Sequence, residues 1–405
     1  MNFQQYSCQT SNFFHHLFVR TFLPVVYFFL LFYIQQPCIP TGSSMCELHC
    51  NVLVKDSNTY QPDTLDLNKD KEAAAYWFPC FRELIEKFAQ RALESQRATD
   101  TSAEERANQF RSSYLSKLQE YQSQSESHKV LGIRELLELN DAQLRLHGFT
   151  DPWQEQKKTE NEEAVPLLSG RLQEIDAIKS DRERWLELVR GVLAGNMFDW
   201  GAQAVTNILQ EDASFGLNAA LERIQKRPWL MDDLDAWLQR LQEEEIHKCA
   251  AIFVDNSGVD VVLGILPFAR ELLKRGTKVL LCANSEPSLN DVTSSELTAI
   301  LDCCNCSCPV LKQACSEKRL LVFGNGQRGP CLDMRTLPQD LCEALKTYQT
   351  DLLIIEGMGR ALHTNLYARF NCETLKLAVV KNKWLAQRLG GDTFAVICKY
   401  EPLTS

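Results

Sequence analysis

An α/β fold is predicted, in which a helical amino-terminal domain leans on a carboxy-terminal three-layer α/β/α domain with a mostly parallel sheet. Beyond Lys248, short apolar runs of strand length alternate with segments of helical spacing, the pattern of a parallel sheet covered on both faces. Between Lys71 and His247 the apolar residues recur instead at helical spacing. The chain's 405 residues exceed one average domain, and 45% hydrophobic content is enough for a sizeable core. The expected organisation is an apolar leader at 1–50, a helical domain at 51–247 and the α/β/α domain at 248–405.

Taken in order, residues 22–34 are strongly apolar, preceded by Arg20 and followed by Gln35-Gln36-Pro37. The run is shorter than the ~20 residues of a membrane span; it is long enough for the ~7–15-residue core of a secretory signal, but the leader offers one Arg and no Ala-x-Ala site follows. Translation from Met45, or an extended gene model, explains it more simply. A cytoplasmic protein is expected, with secretion or membrane anchoring through 22–34 as the alternative. Tyr76, Trp77 and Phe81, then Leu84, Ile85 and Phe88, form a core stripe, and 104–119 is charged and amphipathic. Pro152, Pro166 and Pro228 punctuate this half. Strands are predicted at 250–254, 278–282, 319–323, 352–355, 377–380 and 394–398, with helices over 260–275, ending at Gly276, and 292–301.

A formal net charge of -10 and the lack of any Lys/Arg-rich run argue against nucleic acid as a partner. A small anionic ligand would need a local cationic site. The 16 cysteines are spread through a long chain, several in core-like strands, and read as reduced thiols. Cys303, Cys304, Cys306 and Cys308, with Cys315 nearby, are dense enough for zinc, yet no second Cys or His pair stands ready to complete a tetrahedron, so a surface loop is the simpler reading. The oligomeric state is not legible.

Asp255-Asn256-Ser257-Gly258 ends the 250–254 run and is answered by Asn290-Asp291 after the next. Ligands of open parallel sheets bind beyond the carboxyl ends of the strands, where both carboxylates fall. Two carboxylates and one amide oxygen suit a hard divalent cation and leave positions for water and a phosphate oxygen. The same residues could simply end a strand and cap a helix. A covalent aspartyl-phosphate route would need a second Asp two residues after the first, and Ser257 stands there. Gly324-Asn325-Gly326-Gln327-Arg328-Gly329 fits a dinucleotide fingerprint, but Pro330 and Pro338 deny it the helix that should open at the third glycine.

Glu356-Gly357-Met358-Gly359-Arg360 directly follows the 352–355 run and is followed by His363-Thr364-Asn365. With residues 194–201, Arg227-Pro228-Trp229-Leu230 and, more weakly, Lys55-Asp56, this stretch resembles the metal-dependent damage-control phosphatases that carry a Glu-Gly-Met-Gly-Arg motif. The resemblance implies a metal-dependent hydrolase of a small phosphorylated metabolite, foremost 4'-phosphopantetheine or its oxidised derivatives. A sugar-phosphate phosphatase and a phosphometabolite-binding pseudo-enzyme are the alternatives. It further implies Asp255, Asn256 and Asp291 as metal ligands, the two carboxylates being catalytic through the metal, with Mn²⁺ foremost and Ni²⁺, Co²⁺ or Mg²⁺ as alternatives. It assigns Lys376, in Glu373-Thr374-Leu375-Lys376-Leu377, to the substrate phosphate.

Around that centre, Gly357 and Gly359 are expected to let backbone amides approach a ligand, beside Glu356 and Met358, and Arg360 to pair with phosphate or with Glu356. Asn196 and Asp199 could present polar groups to the pocket or form only a turn and a cap. Asn325 is expected to face the phosphate or to belong to a mobile loop. His363 could protonate the leaving group or be a hydrogen-bonded structural residue.

Overall fold

The computed structural model describes residues 52–123, 129–199, 216–243, 245–305 and 307–403. The readings of 22–34, Met45, Trp200, Gly201 and Cys306 lie outside the described residues. Seven strands form one sheet: β1 (Met231–Asp232), β2 (Cys249–Phe253), β3 (Lys278–Ala283), β4 (Leu320–Gly324), β5 (Leu352–Glu356), β6 (Glu373–Val380) and β7 (Ala395–Glu401), in the order β1-β7-β6-β5-β2-β3-β4. β2 to β6 run parallel, and β7 is antiparallel to β6. β6 begins already at Glu373, ahead of the expected 377, and the two-residue β1 was not foreseen.

Strands buried on both faces read as continuous apolar runs. In β2, Cys249, Ala251 and Phe253 enter one core while Ala250 and Ile252 enter the other. The first core takes α1 (Lys71–Gln96), α2 (Ala103–Ser123) and α3 (Ile133–Leu146). α4 (Gln154–Ala164) runs from Trp153, in that core, to Ala164, in the second. The second core takes α5 (Leu168–Ala177), α6 (Asp181–Gly195), α7 (Leu217–Arg223), α8 (Leu234–Arg240), α9 (Leu266–Lys274), α10 (Ser294–Cys304) and α11 (Pro309–Ser316). α12 (Gln339–Thr347) and α13 (Lys383–Arg388) return to the first.

The helical half is therefore not a domain of its own, contrary to the division expected at 247. The described residues from 52 onward belong to one compact unit. Among the described residues, its helices pack into the two cores they share with the sheet, because each of their apolar stripes needs a partner surface and the two sheet faces supply it. α1 illustrates this: Trp77, Phe81, Ile85 and Phe88 are buried at helical spacing, and Asp70 caps the first turn by accepting from the Ala73 amide at 2.9 Å.

Three local expectations meet the structure directly. The predicted 260–275 helix opens as a π-helical turn, Asp260–Ile265, before continuing as α9. After β4 no helix opens at Gly329; the chain makes a short turn at Met334–Thr336 and α12 starts behind Pro338. Cys303 is exposed at the end of α10, while Cys304 and Cys308 are buried in the second core rather than carried on a surface loop.

Candidate active site

The chain leaves β2 for β3 and β4 on one side, then returns to place β5 on the other side of β2. The carboxyl ends of β2 and β5 therefore flank the point where the sheet changes direction, the place where open α/β sheets bind ligands. Asp255 and Asn256 follow β2; Glu356 ends β5, and Gly357 follows it. The loops after β2 and β3 are tied together by Ser257 N to Asn290 O (2.9 Å) and Val292 N to Asp255 O (3.0 Å), with a bridge between Asn256 and Asp291. These backbone bonds, rather than side-chain attraction, bring Asp291 to Asp255.

A second ring of polar groups fixes the carboxylates. The Asn196 amide donates to Asp255 Oδ2 and to Glu356 Oε1, both at 2.8 Å, and the Asp255 amide donates to Glu356 Oε2 at 2.9 Å. Asn256 Nδ2 donates to Asp260 Oδ2 at 2.8 Å and to Asp255 Oδ2 at 3.2 Å, which leaves its Oδ1 for a ligand. The Arg360 guanidinium, fully buried, pairs with Asp255 through Nη1 and with Asp291 through Nη2, the latter at 2.7 Å. Gly357 sits at φ 103, and a Cβ there would lie 2.2 Å from Asp255 Oδ2, so both backbone conformation and space require glycine.

Asp255, Asn256 and Asp291 line a cleft of about 470 Å³ together with Asp199, Lys381 and His363. Lys381 Nζ is held by Asp199 Oδ2 (2.7 Å) and the Asn196 carbonyl (2.7 Å). Burial works against its charge, but the Asp199 and Asp255 carboxylates hold the ammonium above its usual range. Burial pushes the carboxyls of Asp255, Asp291, Asp260 and Glu356 up, against the pull of Arg360 on Asp255 and Asp291. His363 is pushed down to about 4 by burial and by Lys381, so its imidazole is neutral at pH 7 and cannot serve as an imidazolium acid. Its ring stands edge-on to Trp77, centroids 5.3 Å apart.

The donor set fits a hard divalent cation. Asp255, Asp260, Asp291 and Glu356 outnumber the buried cations Arg360 and Lys381, and Asp260 Oδ1 is buried without a hydrogen-bond partner. Two overlapping sets could serve as ligands. Carboxylate oxygens of Asp255, Asp260 and Glu356 lie within 4.8 Å of one another, but both Glu356 oxygens already accept from Asp255 N and Asn196. Neither Asp260 nor Glu356 lines the cleft, whereas Asp255, Asn256 and Asp291 all do.

The other expected residues separate. Met358 and Gly359 line the cleft; Glu356, Gly357 and Arg360 lie behind it. The Gly357 amide is spent on Leu377 O at 3.0 Å, and Arg360 on Asp255 and Asp291, so neither is offered to a phosphate as expected. Asn196 supports Asp255 from behind rather than touching a ligand. Asn325 braces its own loop through Gln327 N (2.9 Å) and Asn284 Oδ1 (3.3 Å) and does not face the cleft.

Lys376 requires a correction. It pairs in register with Ile355 inside the sheet, and its Nζ meets Glu401 at 2.5 Å and the Ala368 carbonyl at 2.9 Å, away from the cleft. The buried lysine that lines the cleft beside Asp199 is Lys381, just past the end of β6. A signal for it existed: Lys381 follows its apolar run as Asp255 follows its own, while Lys376 precedes the run. Asp260 and Asn284 were missed, because a polar residue inside a helical segment or a loop carries no mark of burial.

A family model described as the damage-control phosphatase ARMT1-like domain matches residues 79–397. The 4'-phosphopantetheine phosphatase of Mus musculus is 41% identical over 396 residues, covering 86% of this chain and 48% of that protein, so the chain spans about half the length of this relative. A damage-control phosphatase of Arabidopsis thaliana is 38% identical over 331 residues, 81% of this chain and 88% of the relative. Among solved structures, a DUF89 family protein of Pyrococcus horikoshii shares the fold with a TM-score of 0.50 at 17% identity, over 78% of this chain and 96% of its own.

Proposed function

Since the chain belongs to the family of the damage-control phosphatase ARMT1-like domain, we propose that it is a metal-dependent phosphomonoesterase acting on a small phosphorylated metabolite, with 4'-phosphopantetheine or its oxidised derivatives as the first candidates. The observation that carries this reading is the meeting of Asp255, Asn256, Asp291 and Lys381 in one cleft at the sheet's change of direction. Asp255, Asn256 and Asp291 would hold the cation, Mn²⁺ foremost and Ni²⁺, Co²⁺ or Mg²⁺ as alternatives, since carboxylate and amide oxygens accept all four. When bound, it supplies Lewis-acid charge to the phosphoryl group and a water acidic enough to attack at neutral pH.

The chain's own groups do the rest. Lys381, positioned by Asp199 and the Asn196 carbonyl, presents a fixed ammonium to the phosphate charge that builds during transfer. Neutral His363 offers a hydrogen bond to the ester or leaving oxygen without adding charge. Direct displacement by water is favoured over an aspartyl-phosphate, because Ser257, its hydroxyl buried, stands where the second acid would be needed.

The test is phosphate release by purified protein from pantetheine phosphates, sugar phosphates and nucleotides, with and without each metal. Release should stop in excess chelator and return with Mn²⁺ or a similar ion. Full activity in chelator would remove the metal from the mechanism, and no release from any ester would leave a binding protein.

A further inference from the structure

The cleft is far larger than a phosphate and a cation need, and its extra volume has a direction. Tyr76, Trp77, Cys80, Phe81, Glu83, Leu84 and Lys87 all line it, the two charged side chains towards one end. They recur at one-turn spacing along a single face of α1, so this face forms one wall. One end of that wall is pinned beside the phosphate site: the Asn382 amide donates to Tyr76 Oη at 2.9 Å, next to Lys381 in the chain, and Trp77 packs against His363. From Tyr76 to Lys87 the helix rises about 16 Å. Ile133 and Leu137, from α3, add further apolar lining.

We propose that this face of α1 is the specificity element of the site, selecting phosphomonoesters whose linear, largely uncharged arm runs along α1 from Trp77 past Phe81 and Leu84 to the charged end at Glu83 and Lys87. The inference rests on the phosphatase reading for its chemistry. Short esters leave the apolar wall wet, whereas each arm methylene that lies on it gains up to about fourfold in transition-state binding. Selection therefore grows with arm length and levels off once the arm exceeds about 16 Å.

A series of ethyl, hexyl and decyl phosphate separates the two readings when both turnover and calorimetric binding are measured on the full chain. The wild type should rank decyl above hexyl above ethyl. Leu84→Trp, which fills the groove midway, should cut the decyl-to-ethyl ratio of kcat/KM at least tenfold; Leu137→Trp, on α3, should do the same and serves if the first variant melts early. Equal kcat/KM for all three esters in the wild type, or an unchanged ratio in both variants, overturns the proposal. Length-dependent binding without turnover would keep the specificity wall and discard the phosphatase reading.

Discussion

Two buried lysine pockets on the same sheet have opposite charge balances. Around Lys376, Glu401 is shared with Lys399 and Arg369, so cations outnumber carboxylates. Burial and those neighbours lower the Lys376 ammonium to about 8, only partly offset by Glu401. Around Lys381 the carboxylates of Asp199, Asp255 and Asp260 prevail over burial and raise it. An excess of buried negative charge is costly unless something cationic compensates it, so the acid-rich pocket is the one suited to a metal and a phosphate. The cation-rich pocket holds β6 and β7 together.

The sharpest way to break this contrast is Arg360→Ala. It strips the counter-charge from Asp255 and Asp291 and should cost about 3–5 kcal/mol in chelator, with added Mn²⁺ returning part of that loss. A urea titration in both conditions measures it, and equal losses with and without metal would mean that the carboxylates do not hold the ion. Next comes Lys381→Ala, expected to lower kcat/KM by about 10²- to 10³-fold while the same change at Lys376 leaves kcat/KM within a few fold. Reversal of that order would return the phosphate contact to Lys376.

Stability should rank the two lysines differently. Lys376→Ala leaves Glu401 to Lys399 and Arg369 but removes a fully buried side chain and its ion pair, and should cost about 2–4 kcal/mol, read as a lower urea midpoint with unchanged slope. The smallest effect is in pH dependence. Folded Lys376 loses its proton near pH 8, while the unfolded chain holds it to about 10.5. In that window the unfolded state binds more protons, so stability rises with pH. The rise should be missing in Lys376→Met. The Lys381 contribution has the opposite sign: it is present below its unfolded value and lost as pH climbs through its raised folded value.

Several features were determined by the sequence alone. Apolar runs at 250–254, 278–282 and 352–355, bounded by turn residues, read as strands buried on both faces, which puts Asp255, directly past the first run, and Asp291, in the loop after the second, at the carboxyl edge. Both facts follow from local pattern and a general rule of parallel sheets. The position of Lys381 just past its run was legible too, but only the tertiary structure removed Lys376 from the cleft, because 377–380 marked only the end of β6, and its start at Glu373 places Lys376 inside the ladder. It also decided that Arg360 serves Asp255 and Asp291 rather than a ligand, and that Asp260 is buried among them. Such contacts join residues far apart in the chain, and neither periodicity nor spacing records the distance between them. The same holds for the helical half, whose stripes were legible but whose partners, opposite faces of one sheet, were not.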